Sequence, residues 1–233
     1  MPLRRRRFTY HLTLFSKMKT ILPSTLALPS YNTQKYVDEL YNSGIRLIHL
    51  DLMEKPFVSA DWNGEHAMLL ALAKYTDLKL DVHLMTNNPS DFYFQHPESI
   101  DCINVHLKHV HENKSLLQKM RRKFGKVGIV INPDEELDSI NSFISEIDSV
   151  ILMSVEPGKG GQTFLSKSFK RIAELRALLN TMSPHRDICI TVDGGVNDMN
   201  IDRIFENGAN KVVIGSFLFS EMTPSTTLRK LLS

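Results

Sequence analysis

The sequence predicts a single α/β domain, a (β/α)8 TIM barrel over residues 18–233, preceded by a basic, disordered extension over residues 1–17. Three observations carry that expectation. Short β-branched or aliphatic runs alternate eight times with helical patterns, and strands separated by helices form a parallel sheet with right-handed crossovers. No break in composition divides the chain, and 233 residues with 42% hydrophobic content suffice for one full core. Polar, ligand-type residues sit at the carboxyl ends of several runs, the face on which such barrels keep their chemistry. A doubly wound open sheet shares the alternation and is the alternative.

Thr20-Ile21-Leu22 reads as the first strand, ended by Pro23-Ser24 because proline lacks a backbone donor. Tyr36, Val37, Leu40 and Tyr41 follow at helical spacing, with Gly44 as the stop. Leu47 to Asp51 is the second strand, residues 55–64 a loop, and residues 65–75 an Ala/Leu-rich helix. The third strand ends at His83; Asn87-Asn88-Pro89 turns the chain, and Ile100 to His106 is the fourth. A basic helix near 113–123, a strand at Val127 to Ile131 and a helix at 135–146 come next. Val150 to Val155 is the sixth strand, and Phe169, Ile172, Leu175 and Leu179 mark a long amphipathic helix. Ile188 to Val192, a helix at 198–207 and Val212-Val213-Ile214 complete eight units.

The formal charge of +2 misleads, because Arg4, Arg5, Arg6, Arg7, Lys17 and Lys19 lie in an acid-free tail and the remainder carries an acidic excess. Nucleic-acid binding by the domain is therefore not expected. An apolar run of about 18 residues is lacking, so neither is a membrane span. Cys102 and Cys189 read as plain buried thiols in a reducing compartment. A cytoplasmic location follows, with organellar targeting by the Arg-rich extension as the alternative.

Side chains in a strand alternate faces, so His49 and Asp51 share one face while Ile48 and Leu50 pack on the other. Leu80-Asp81-Val82-His83 and Ile190-Thr191-Val192-Asp193 repeat the design. Brought together, His49, Asp51, His83 and Asp193 would suit one divalent transition metal such as zinc, iron, manganese or cobalt. A second signal is Val155-Glu156-Pro157-Gly158-Lys159-Gly160-Gly161-Gln162, where glycines let the backbone approach a ligand closely. Gly194-Gly195 and Gly215-Ser216 follow strands seven and eight, whose loops often bind phosphate in barrels.

These segments resemble the successive signatures of ribulose-phosphate 3-epimerases. They are Pro23-Ser24-Thr25-Leu26, His49-Leu50-Asp51-Leu52-Met53, Asp81-Val82-His83-Leu84-Met85, Met153 to Gln162 and Val192-Asp193-Gly194-Gly195, closed by Gly208-Ala209-Asn210 with Gly215-Ser216. The resemblance runs in order from about 20 to 220. It implies that His49, Asp51, His83 and Asp193 hold the metal, with Asp51 and Asp193 as the acid/base pair. It further implies a substrate-contacting set of Ser24, Met53, His83, Met85 and Met153, and phosphate-binding segments made by Gly158, Lys159, Gly160, Gly161, Gly194, Gly195, Gly215 and Ser216. Family habit adds a homo-oligomer.

The expected activity is inversion of C3 of a phosphorylated ketose, D-ribulose 5-phosphate to D-xylulose 5-phosphate, through an enediolate. Inverting a carbon next to a ketone needs a proton removed on one face and one returned on the other, hence two flanking groups. Alternatives are a ketohexose 6-phosphate such as allulose 6-phosphate, a phosphate-binding barrel lyase, and a catalytically weak sugar-phosphate binder. The sugar and weak-binder alternatives are motivated by a departure from the family pattern at Glu54-Lys55-Pro56, with Lys108 and Lys159 also differing from common family residues. The lyase is motivated by the decarboxylases and aldolases that phosphate-binding barrels also host, with Lys108 as the candidate lysine. Lys55, Lys108 and Lys159 read first as solvated surface lysines, and His109 and His111 as exposed loop residues.

Overall fold

Period-two alternation sorts the strand side chains onto two faces, and this sorting frames the site. In this computed structural model, which describes residues 19–28, 33–59, 62–63, 71, 74–219 and 223–232, nine strands form one sheet. They are β1 (Thr20–Pro23), β2 (Leu47–Met53), β3 (Trp62–Asn63), β4 (Lys79–Met85), β5 (Ile100–His106), β6 (Val127–Ile131), β7 (Ser149–Met153), β8 (Cys189–Asp193) and β9 (Lys211–Ile214). The order is β1-β9-β8-β7-β6-β5-β4-β2-β3. All neighbours pair in parallel except β3, which runs antiparallel to the end of β2. A parallel bridge between Ser24 and His49 brings β1 to β2 and completes the ring. The predicted barrel of eight parallel strands is the observed fold.

Residues of one parity, including Ile48, Leu50, Leu80, Val82, Ile103, Ile190 and Val192, are buried in the large core between sheet and helices. The other parity faces the barrel interior and is polar to an unusual degree: His49, Asp51, Asp81, His83, Asn104, His106, Ser149 and Thr191 are all buried there. A separate group of Val130, Ile151, Met153 and Val155 fills the apolar side of that interior.

The α-helices with both ends among the described residues are α1 (Thr33–Asn42), α2 (Leu107–Glu112), α3 (Leu116–Phe124), α4 (Lys167–Met182), α5 (Ile201–Glu206) and α6 (Pro224–Leu232). Gly44, at φ 93°, follows the end of α1 in the left-handed region that favours glycine. Along α4, Ile172, Leu175 and Leu179 are buried at the predicted spacing.

Several expectations need correction. The helix expected near 113–123 is α3, and a further short helix, α2, precedes it; between them the Asn113 side chain accepts from both the backbone N–H and the hydroxyl of Ser115. Residues Leu137–Glu146 form a 3-10 helix and not an α-helix. The segment contains Asp138, Ser139, Asn141, Ser142 and Ser145, residue types of low α-helix propensity. The loop over 55–64 contains β3. The third strand runs on to Met85, and the sixth stops at Met153. Cys102 is buried, whereas Cys189 is only partly so; both are free thiols. The extension over 1–17 and most of the helix over 65–75 lie outside the described residues. Among the described residues no helix is long and apolar enough to cross a membrane.

Candidate active site

Strand register builds the centre. In the β2–β4 pair Asp51 stands beside His83 and His49 beside Asp81. Asp193, the last residue of β8, reaches the same point from the far side of β9 and β1. One ligand atom from each of His49, Asp51, His83 and Asp193 lies within 4.8 Å of the others. His49 Nε2 is 3.5 Å from Asp51 Oδ1 and 3.8 Å from Asp193 Oδ2. His83 Nδ1 is 3.5 Å and 3.7 Å from the same two oxygens.

Both imidazole nitrogens are buried and neither has a hydrogen-bond partner. Two orphaned nitrogens aimed at two carboxylate oxygens are costly unless a further group completes them. Two imidazoles with two carboxylates suit a divalent transition metal, so the residues fit the predicted ion.

For three of the four residues the atom turned away from the centre is engaged. Ser24 Oγ donates to Asp51 Oδ2 at 2.7 Å, leaving Oδ1 for the centre. His49 Nδ1 lies 2.8 Å from Asp81 Oδ2, and His83 Nε2 lies 2.9 Å from His106 Nε2. Burial opposes charge on Asp51, but the His49 and His83 rings beside it hold its carboxyl far below the usual carboxylate range. Burial likewise opposes charge on His49, yet the carboxylates of Asp51, Asp81 and Asp193 together raise its pKa well above the ordinary value. For His106 burial dominates, with the neighbouring His83 acting in the same direction, and its pKa falls well below the ordinary value.

The centre opens into a cavity of about 360 Å³ lined by Asp51, His83 and Asp193. Its walls include Met85, Met153 and Ser24, and the segments Val155 to Gln162, Asp193 to Val196 and Gly215-Ser216. Gly158, Lys159, Gly160, Gly161, Gly194, Gly195, Gly215 and Ser216 therefore all reach one cavity. Gly195 has φ 65°, and a Cβ there would lie 2.4 Å from the backbone nitrogen of Phe164, so the two loops touch through the missing side chain. His49 is fully buried among the ligands and does not line the cavity. Met53 packs beside Val58 and Met85 and is absent from the cavity wall.

Some contributors were not singled out in the sequence. Gln162 Nε2 donates to the carbonyls of Glu156 and Lys159 at 2.6 and 2.8 Å, tying the glycine-rich loop to itself. Ser154 Oγ lies 2.8 and 2.6 Å from the carbonyls of Asp193 and Gly194, holding the segment after β7 against the one after β8. Gln162 stood within a noted motif, but nothing in its identity signalled a side chain turned back on its own loop. Leu26, Ala27 and Val196 add apolar wall.

Other predicted features stand apart from the cavity. Glu54 Oε1 accepts from Thr86 Oγ1 and the Asn87 N–H at 2.5 and 3.0 Å. Neither it nor Lys55, Pro56 or Lys108 lines the cavity, whereas Lys159 does. His109 is a correction: it lies in α2 and is buried, with its ring 5.3 Å from that of Phe57. His111 is exposed but also helical, so neither residue is in a loop.

A sequence model of the Ribulose-phosphate 3 epimerase family matches residues 20–219. The chain belongs to the ribulose-phosphate 3-epimerase family. It is an isomerase of the epimerase type. Relatives named ribulose-phosphate 3-epimerase include one from Aquifex aeolicus, 31% identical over 217 residues and covering 93% of this chain and 96% of the relative. A chloroplastic ribulose-5-phosphate-3-epimerase of Arabidopsis thaliana is 34% identical over 215 residues, covering 88% of this chain and 73% of the relative. Among solved structures, a tryptophan synthase α-subunit of Pyrococcus furiosus superposes with a TM-score of 0.64 at 13% identity, covering 93% of this chain and 98% of that one. That likeness is one of fold. The family match spans every segment that reaches the cavity.

Proposed function

We propose that this epimerase inverts C3 of D-ribulose 5-phosphate to give D-xylulose 5-phosphate, one of Asp51 and Asp193 taking the C3 proton and the other returning its own to the opposite face. The observation that carries this reading is the convergence of two carboxylates from β2 and β8 at one end of a cavity also lined by three glycine-bearing loops. The sugar's anionic end fits the loops formed by Gly158 to Gly161, Gly194-Gly195 and Gly215-Ser216, whose backbone N–H groups can face it. The reacting carbon then lies toward Asp51 and Asp193.

One carboxylate removes the C3 proton, and the other, carrying a proton, delivers it to the opposite face of the enediolate. Ser24 fixes the Asp51 carboxylate by its hydrogen bond to Oδ2, so the reacting geometry is set before substrate arrives. Met85 and Met153 supply apolar wall beside the carboxylates and keep water from the carbanionic carbon. His49, Asp51, His83 and Asp193 would hold a divalent metal, which when bound would supply Lewis-acid stabilisation of negative charge on the substrate.

Allulose 6-phosphate remains the second substrate reading. Its motive was the Glu54-Lys55-Pro56 departure, and those residues do not line the cavity, which favours the pentose. A lyase reading needed a lysine such as Lys108 at the reacting centre. Lys108 instead lies over the Phe57 ring, 5.1 Å from its centroid.

Proton NMR with ribulose 5-phosphate in heavy water tests the proposal. Deuterium at C3 with xylulose 5-phosphate accumulating is the expected result; carbon loss or chain cleavage would sink it. Asp193→Asn is expected to lower kcat by at least about 100-fold, since a proton-transfer group typically contributes that much. Full activity of that variant with metal bound would remove Asp193 from the mechanism.

A further inference from the structure

A chain of buried polar groups runs down the barrel interior from the metal-ligand cluster, and it bears on one ligand only. His49 Nδ1 faces Asp81 Oδ2 at 2.8 Å. The other oxygen of Asp81 accepts from Asn104 Nδ2 at 3.1 Å, and that amide also donates to the carbonyl of Val82 at 3.0 Å. Asn104 Oδ1 in turn accepts from Ser149 Oγ at 2.8 Å. Asp81 is 1% exposed, so its carboxylate exchanges no partner with bulk water. Gly128 keeps the space open, since a Cβ there would stand 2.1 Å from Asn104 Oδ1 and 2.2 Å from Ser149 Oγ.

We propose that Asp81 is a positioning residue for the metal: it holds His49 with the proton on Nδ1, so that the Nε2 lone pair points at Asp51 and Asp193. This rests on the metal-centre reading above and extends it one layer outward. An ionised carboxylate only accepts, so the ring nitrogen facing it carries the hydrogen and the opposite nitrogen carries the lone pair. Fixing ring orientation and raising ligand basicity are the known effects of a carboxylate behind a metal-ligating histidine. His83 has a different arrangement. Its outer nitrogen meets the neutral-type ring of His106, so the two histidines are not supported equally. Asn104, Ser149 and Gly128 act through Asp81 by holding its second oxygen.

The test uses the full chain stripped of metal, with zinc as probe and a chromogenic chelator as competitor. Asp81→Asn is expected to bind zinc about 10- to 100-fold more weakly, because a side-chain amide presents no charge and has a donor that can turn toward Nδ1. Nitrogen-15 imidazole spectra of the zinc-loaded wild type are expected to show His49 protonated at Nδ1 and ligated at Nε2. In Asp81→Asn the His49 signals should move while those of His83 stay in place, which general loosening of the fold would not produce. If the wild type binds zinc and Asp81→Asn binds it within about threefold, the role of Asp81 is lost and the metal centre stands. If the wild type itself binds no zinc, both readings fall. Should Asp81→Asn not fold, the wild-type spectrum decides, and His49 ligated through Nδ1 would overturn the assignment.

Discussion

At Asp51 the two carboxylate oxygens have separate tasks, Oδ2 held by Ser24 and Oδ1 turned to the histidines. Ser24→Ala removes a hydrogen bond to a charged group, worth about 1.5–3 kcal/mol. If that energy is realised in the transition state, kcat falls about 10- to 100-fold. Steady-state kinetics would show it, with circular dichroism unchanged because Ser24 lies at a strand end. Gly195 makes the opposite kind of prediction, one of fit. A methyl group there meets backbone at 2.4 Å, so Gly195→Ala must separate the loops after β7 and β8. We expect KM for the sugar phosphate to rise more than kcat falls, because the change lies in the proposed phosphate segment and leaves the carboxylates in place.

Helix α4 shows how an element is fastened. Arg176 on it donates to the carbonyls of Gly208 and Ile188 and to Asn210 Oδ1, joining the helix to the approaches of β8 and β9. Arg176→Leu is expected to cost about 2 kcal/mol, the scale of lost charged hydrogen bonds, and to lower Tm with kcat little altered. Thermal unfolding paired with an activity assay would check this. The apolar runs made the eight barrel strands legible, since Leu80, Val82 and Leu84 bury one face whatever the other face does. The 3-10 segment at 137–146 was not legible, because Ile140, Phe143 and Ile144 satisfy helical spacing while the polar residues between them weaken the ladder. His49, Asp51, His83 and Asp193 stood out because each interrupts or ends such a run. Asn104 and Ser149 gave no such signal; their importance comes from contacts made across three strands. His109 misled because a polar type predicts exposure, and the helix turned it inward against Phe57.

For the molecule as a whole, a metal ion completing the two unpartnered imidazole nitrogens would add to the stability of the fold. A ligand at 100 times its Kd adds about 2.7 kcal/mol to folding stability. For a domain of this size that corresponds to a Tm higher by about 5 to 10 °C. Chelator is therefore expected to lower Tm by that amount and zinc to restore it in scanning calorimetry. An unchanged Tm would argue against ligation by these residues. The strict division of the strands into an apolar face and a polar face has another consequence, for the route by which the chain reaches this fold. Shifting β2 by one residue would send Ile48, Leu50 and Leu52 into the interior and press His49 and Asp51 into the helix layer. A buried carboxylate without its serine or histidine neighbours is far too costly to persist. The residues assigned to chemistry thus also proofread strand pairing, and a barrel with its reaction centre made wholly apolar would lose a safeguard against mispaired sheets along with its activity.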